Sequence, residues 1–279
     1  MKVLILDGYN LIYRAKHSTP KWIKDSSYGI IFNFFRSLRP LVEKFNPDRV
    51  YFVLEGAPKA RLEVLPEYKG TRVREEDTNF RDQRNLMIDL LANHFPIVVA
   101  RHEDYECDDV IGFLVEHAHA EDDCTVVSSD TDFIQLYNRC PNFQLYNPIR
   151  KSIVNKTEYD YVSWKALRGD SADNIPGFKG IGDKRAAGLL ENQEKLEKFL
   201  SSSPDKRELF EKNIFLIRFH DLSNCSAEIK FSRAESNWDF IYESFKNFKF
   251  ESIIKENSWN KFVGTFSNLS GVIDGSVKQ

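Results

Sequence analysis

The sequence predicts an α/β fold in which a mainly parallel sheet, layered with helices over residues 1–156, is followed by a mainly helical region over 157–265. Three observations predict it. Short apolar runs rich in Val and Ile, at 3–6, 50–54, 97–100 and 125–128, have the composition of strands buried on both faces. Helical periodicity fills the intervals between them. After about residue 155 such runs cease, and short helical patterns follow one another around "NIPGFKGIGD".

Taken in order, "VLIL" is the first strand and ends at Asp7. The next helix carries Ile31, Phe34, Phe35, Leu38, Leu41, Val42 and Phe45 at three- and four-residue spacing. "VYFVL" ends at Glu55 and leads into a segment of about 57–85 with no strong apolar stripe. "IVVA" is the third strand, "DDVIGFLVEHA" a helix with Val110, Ile111, Leu114 and Val115 on one face, and "TVVS" the fourth strand. Strand–helix–strand alternation implies right-handed crossovers. The last stretch, 266–279, is rich in Gly and Ser and reads as a flexible tail.

Composition narrows the classes. A chain of 279 residues, 42% hydrophobic, can bury a large core. Its 39 basic against 42 acidic residues exert no net pull on nucleic acid, so such a partner must be held by local patches. Cys107, Cys124, Cys140 and Cys225 show no Cys-x-x-Cys pairing, which argues against a zinc cluster and for reduced thiols. Asp7 and Asn10 interrupt the apolar start far short of a signal peptide, and no run is long enough to span a membrane. The expectation is a cytoplasmic protein, most simply a monomer, with no membrane partner.

The strand ends carry the chemistry. Asp7, Glu55, then Glu106, Asp108 and Asp109, then Asp130 and Asp132 follow four separate strands on the side where open parallel sheets bind ligands, and "GDSAD" adds Asp170 and Asp173. Singly, each is as well explained as a helix cap or turn former, Asp108 and Asp109 above all. Their convergence is not, because so many carboxylates in one place repel unless a cation joins them. All-oxygen ligation favours Mg²⁺ or Mn²⁺ over Zn²⁺, with acids enough for two ions about 4 Å apart, an arrangement suited to phosphodiester hydrolysis.

Two other classes compete. "LILDGYN" and "RGDSAD" faintly resemble the haloacid dehalogenase phosphatases, but Tyr9 stands where their general acid belongs, and the remaining acids would be idle. A nonenzymatic DNA-binding module on the same scaffold would have to lack metal ligands, and none is missing.

Cations lie nearby in sequence. The segment after Glu55 holds Lys59, Arg61, Lys69, Arg72 and Arg74 with an exposed-looking Tyr68, and reads as a mobile basic loop over the acids that contacts DNA. In "GFKGIGDKRA" (residues 177–186), Gly180 and Gly182 permit a tight hairpin whose amides approach a phosphate, beside Lys179, Lys184 and Arg185.

Together "LILDGYN", "FVLEGAP", "LPEYKGTR", "YECDDV", "SSDTDFIQL" and "KALRGDSADNIPGFKGIGDKRA" resemble, in order and over residues 1–200, the 5′ nuclease family of flap endonucleases and 5′-to-3′ exonucleases, the bacteriophage exonucleases especially. The resemblance implies a PIN-like nuclease core, an arch at about 57–85, and a helix–hairpin–helix (helix-three-turn-helix) element with its hairpin at 177–185, there with K⁺ on hairpin carbonyls. It implies that Asp7, Glu55, Glu106 and Asp108 serve one Mg²⁺, and that Asp130, Asp132, Asp170 and Asp173 serve a second, with Asp109 acting through water and Mn²⁺ able to substitute. Lys69 and Arg72 fall at positions over the scissile phosphate, and Lys165 joins the DNA contacts. The implied substrate is branched, nicked or 5′-ended DNA, or RNA in RNA–DNA hybrids, cut to a 5′-phosphate and a 3′-hydroxyl. Glu55 departs from the Asp of many relatives. Beyond residue 200 the motifs give out.

Overall fold

The structure, a computed structural model, describes residues 1–23, 26–72, 77–233 and 235–270. Arg74 and residues 271–279 of the expected tail lie outside the described residues. Among the described residues, strands β1 (Lys2–Asp7), β2 (Arg49–Val53), β3 (Val98–Arg101), β4 (Asp123–Val127) and β5 (Phe143–Asn147) are parallel, and β6 (Ser152–Val154) and β7 (Lys230–Phe231) run antiparallel at the two edges. Their order is β6-β5-β4-β1-β2-β3-β7.

Pleating splits each strand between two cores. Val3, Ile5, Tyr51, Val53 and Val126 face one, while Leu4, Leu6, Val50, Phe52 and Val127 face the other. Because both faces need cover, the strands are apolar throughout rather than alternating. Helices α1 (Gly8–Ser18), α2 (Gly29–Phe45) and, after the short α3 (Lys59–Val64), α4 (Thr78–His94) supply the second core, and α5 (Cys107–Phe113) the first. The predicted helix after Asp108 continues from α5 into a π-helical turn over Leu114–Ala118.

Helices α6 (Tyr161–Arg168), α7 (Asp183–Leu190), α8 (Gln193–Leu200) and α9 (Pro204–Ile217) surround two smaller cores, one of them including Leu65 and Tyr68 from the segment after β2. Three expectations are corrected here. The mainly helical region expected over 157–265 is divided: β7 joins the sheet, and α10 (Trp238–Asn247), α11 (Glu251–Ile254) and α12 (Glu256–Phe266) return to the core of α2 and α4. Ile241, Phe245, Phe262 and Phe266 are buried there, so these helices cover the sheet layer rather than extend the helical region. The tail does not begin at 266, since Phe266 and Leu269 are buried and the Ser270 amide donates to the Asp48 carbonyl at 2.9 Å. The segment 57–85 is not a plain mobile loop: it starts with α3, buries Arg61 and Tyr68, and ends within α4, where Phe80 and Gln83 are buried.

The parallel strands run β3-β2-β1-β4-β5, so the connections leave β1 and β4 in opposite directions. A crevice opens where the winding reverses, outside the carboxyl ends of these two strands. Asp7 ends one and "SSD" follows the other. Among the described residues, no helix is long and apolar enough to cross a membrane.

Candidate metal centre

Asp7 caps α1, its carboxylate accepting from the Asn10 amide at 3.1 Å and from Ser128 Oγ at 2.6 Å. Ser128 in turn accepts from the Asp130 amide at 3.0 Å, so one hydroxyl joins the ends of β1 and β4. Asn10 adds a second tie, exchanging hydrogen bonds with Ser129 at 2.7 and 3.1 Å. Burial raises Asp7 to about 6, the Ser128 and Asn10 bonds offset part of the rise, and Asp130 and Glu55 add to it.

Asp108, half-buried on the first turn of α5, is held well above the usual carboxylate range by burial first and then by Asp130 and Asp7. Glu55 accepts from the Cys107 amide at 3.1 Å, which draws the end of β2 onto the start of α5. Asp7, Glu55, Asp108 and Asp130 thus form a central group whose members repel one another. Among the described residues, the hydrogen-bond partners of Asp7 are neutral.

The flanking acids are different. Glu106 caps α5 and is bound by Lys69 Nζ, by Tyr68 Oη at 3.0 Å and by Arg61 Nη1 at 2.9 Å. Burial raises its carboxyl, and Lys69 and Arg61 oppose that rise. Asp173 is bound by Arg72, with Tyr68 Oη at 3.4 Å and Lys69 Nζ at 3.9 Å. On the other side, Lys165 Nζ lies 2.7 Å from both Asp132 Oδ2 and Asp170 Oδ2. Asp132 is pushed to about 6 by burial and by Asp130, against the pull of Lys165, whereas Lys165 outweighs burial at Asp170 and holds it low. Asp130 is exposed and accepts from the Asp132 amide at 2.8 Å, which fixes the Asp-x-Asp turn.

Several placements correct the expectations from sequence. Arg61 does not face DNA: it is 2% exposed, bidentate on Asp109 at 2.6 and 2.7 Å, and donates to the Leu216 carbonyl at 2.9 Å. Both Asp109 oxygens are thereby occupied, so Asp109 is not poised to act through water. Tyr68 is buried rather than exposed, its hydroxyl turned onto Glu106 and Asp173. Lys165 is buried as a counter-ion, not a DNA contact. In each case a basic or aromatic residue next to acids in sequence is spent neutralising or bonding them.

The others are exposed. Lys59 pairs with Asp104 at 2.6 Å with much of its side chain in solvent. Lys179, Gly180, Gly182, Lys184 and Arg185 line the start of α7, Gly180 at φ 77°, a conformation few side chains tolerate, and Arg185 reaching back to the Gly180 carbonyl at 3.4 Å. The residues missed from sequence are Ser128, Asn10 and Cys107. The first two sit in "SSD" and "DGYN" at strand ends, a usable signal; Cys107 has no partner cysteine in the sequence to single it out.

The donor set fits a hard divalent cation. Oxygen ligands converge from β1, β2, α5 and β4, none of the central carboxylates makes a salt bridge among the described residues, and burial with neighbouring acids disfavours the ionised forms of Asp7 and Asp108, against the pull of Lys69 on Asp108.

Comparison with known proteins gives concordant findings. Residues 2–165 match the family model described as the 5′-3′ exonuclease N-terminal resolvase-like domain, and 157–233 match the 5′-3′ exonuclease C-terminal SAM fold. The chain is 30% identical over 284 residues to DNA polymerase I of Caldicellulosiruptor bescii, covering 91% of this chain but only 33% of that protein. It is 28% identical over 213 residues to the 5′-3′ exonuclease of Mycoplasmopsis pulmonis, covering 72% of this chain and 70% of the relative. In fold it is similar to a bacteriophage T5 flap endonuclease variant solved in a pseudo-enzyme–product complex with DNA and metal ions, at TM-score 0.63 and 19% identity over 97% of this chain and 99% of that one.

Proposed function

Since the chain belongs to the 5′-3′ exonuclease family, we propose that it is a divalent-metal-dependent, structure-specific 5′ nuclease that hydrolyses DNA, or RNA in RNA–DNA hybrids, at 5′ ends or flaps, acting as a monomer. The observation that carries the reading is the central group of Asp7, Glu55, Asp108 and Asp130, none of which makes a salt bridge among the described residues, while the acids on either side are paired with Lys69, Arg61, Arg72 and Lys165. Mg²⁺ is the cation this donor set suits best, and Mn²⁺ can replace it.

Asp7, Glu55 and Asp108 hold the first ion in this reading, and Asp130 and Asp132, with Asp170 behind Lys165, serve the second. When bound, two such ions supply an activated water and charge stabilisation at the leaving oxygen. The protein's own part is positional. Ser128 and Asn10 fix Asp7 and the β4 turn; Lys69 and Arg72, tethered to Glu106 and Asp173, stand ready to turn toward the scissile phosphate as cations enter. Lys179, Lys184 and Arg185 with the Gly180–Gly182 backbone grip duplex phosphates, and hairpin carbonyls there take K⁺. Lys59, exposed at the start of α3, lies along the same DNA path.

A 5′-labelled flap, a nicked duplex and a blunt duplex, each with Mg²⁺ or EDTA, test the proposal. Cleavage that requires Mg²⁺ and falls ~10²-fold or more in Asp130→Ala is expected. Because Asp130 is exposed, the variant keeps its circular dichroism. Turnover near the parent's in saturating Mg²⁺ would remove Asp130 from the metal centre.

A further inference from the structure

The amino ends of the parallel strands lie opposite the metal centre and carry a second cavity, of about 480 Å³, a size that suits a small ligand. It is lined by the starts of β1, β4 and β5, in register from Lys2 against Asp123 and from Cys124 against Phe143, and by Lys44, Phe45 and Pro47 at the end of α2. Along β1, at about 3.3 Å per residue, Lys2 and Asp7 stand about 17 Å apart, so the two sites are separate. Their charge differs too. Lys2 and Lys44 both line the cavity, and neither forms a salt bridge among the described residues. The acids beside Lys2 are engaged elsewhere: Asp48 accepts from the Lys2 amide at 2.7 Å, and Asp122 from the Met1 amine at 2.5 Å. Lys44 Nζ stands 4.0 Å from the centre of the Tyr146 ring and 5.5 Å from that of Phe45, so two aromatic faces hold the ammonium without neutralising it. Thr125, 7% exposed, accepts from Gln144 Nε2 at 2.8 Å, which leaves its hydroxyl hydrogen with no acceptor among the described residues.

Two ammonium groups and a buried hydroxyl donor in one cavity favour a compact dianion over a neutral ligand, and a phosphate monoester carries that charge near neutral pH. Asp123 lines the same cavity and has no cation partner among the described residues. An acid there repels a second phosphate and accepts from hydroxyls, the role a carboxylate takes against a ribose. Phe45, Pro47 and Phe143 add apolar surface for a flat ring. We propose that this cavity binds a nucleoside 5′-monophosphate, with the phosphate on Lys2, Lys44 and Thr125, the ribose hydroxyls on Asp123 and the base against Phe45 and Pro47. The cavity shares no residue with the metal centre, so the inference stands independently of the nuclease reading. Each part of the ligand has its own counterpart: ribose 5-phosphate lacks the base, inorganic phosphate lacks base and sugar, and adenosine lacks the anion.

The test is a ¹H–¹⁵N chemical-shift titration of the whole chain, stripped of metal and dialysed free of chelator, with AMP, ribose 5-phosphate, inorganic phosphate and adenosine in turn. The amides of Val3, Leu4, Cys124, Thr125 and Phe143 should shift together and saturate by about 10 mM AMP, where a site of Kd about 1 mM is about nine-tenths full, while those of Asp108 and Asp130 stay still. AMP should bind about 10-fold or more tighter than each of the other three, the scale of one stacked base or one charged contact. Lys2 and Lys44 are exposed, so Lys2→Ala and Lys44→Ala keep the fold, and each should weaken AMP about 10-fold. Lys198→Ala, which removes an exposed cation on α8, should leave the affinity unchanged. Asp123→Ala should lower the ratio of AMP to phosphate affinity. Inorganic phosphate matching AMP would mean an adventitious ion only, and ribose 5-phosphate matching it would leave the base without a role; either overturns the inference. So do shifts confined to other regions, an absence of saturation, or an AMP affinity that neither Lys2→Ala nor Lys44→Ala moves.

Discussion

Asp7 shows at the scale of one residue what the centre costs the fold. Its folded carboxyl holds a proton to about 6, against an ordinary value of 3.8, because burial and neighbouring acids disfavour the charge. Unfolding therefore releases a proton between about pH 4 and 6, so this residue's contribution to metal-free stability falls as pH rises through that window and is absent as a penalty below it. Asp7→Asn, which keeps an acceptor for the Asn10 amide and turns an NH₂ donor toward the Ser128 hydroxyl but cannot ionise, should stabilise the EDTA-treated protein by about 1–3 kcal/mol at pH 7 and by nothing near pH 3.5. Thermal melts at the two pH values check it, and an equal effect at both would mean that packing, not ionisation, sets the difference. That Asp7 ends a strand beside other strand-end acids was legible in the sequence, because "VLIL" is apolar and Asp7 is not. The Ser128 bridge was not, since nothing in "TVVSS" tells which hydroxyl turns inward.

Elements bring a second lesson, about cations. Arg61 on α3 ties α5 to the end of α9 through Asp109, Glu106 and the Leu216 and Arg218 carbonyls, and it is buried throughout. Removing it leaves two buried carboxylates short of a partner, so Arg61→Ala should cost about 3–5 kcal/mol in chemical denaturation. Arg61→Lys should recover only part, because one ammonium cannot reproduce the bidentate pair. A loss below about 1 kcal/mol would show the network to be dispensable. From sequence, Arg61, Tyr68 and Lys165 read as DNA contacts because charge and ring type carry no direction; only the packing of α3, α6 and α9 turns them inward. The hairpin is the converse case. Gly182 has φ −100° and open space where a Cβ would stand, so Gly182→Val leaves the fold unstrained. Duplex affinity should fall roughly tenfold on two unrelated sequences, the scale of one lost charge-assisted bond of about 1.5 kcal/mol, while single-turnover cleavage at saturation changes little. Unchanged affinity would make "GIG" an ordinary helix connection.

At the scale of the whole molecule, the last helices complete the layer of α2 and α4. Phe245 meets Phe35 at 5.1 Å between ring centroids, and Phe262 and Phe266 meet Phe95 at 6.2 and 5.6 Å. Each buried side chain of this size contributes about 1.5–3 kcal/mol, so losing Ile241, Phe245, Phe262 and Phe266 together removes much of a typical stability of about 5–15 kcal/mol. A chain ending at residue 233 should be largely insoluble and melt without a cooperative transition; a sharp melt would show α10–α12 to be an independent addition. The motif-free sequence beyond 200 hid this, because aromatic spacing says that a face is buried but not against what. The antiparallel β7 has a different consequence, one of timing. Ser232 closes onto Val99, 133 residues earlier, and until it does so the outer edge of β3 has no strand partner. At a synthesis rate of about 5–20 residues per second, that edge stays open for about 7–27 s on the ribosome, an interval in which another nascent chain can pair where β7 belongs.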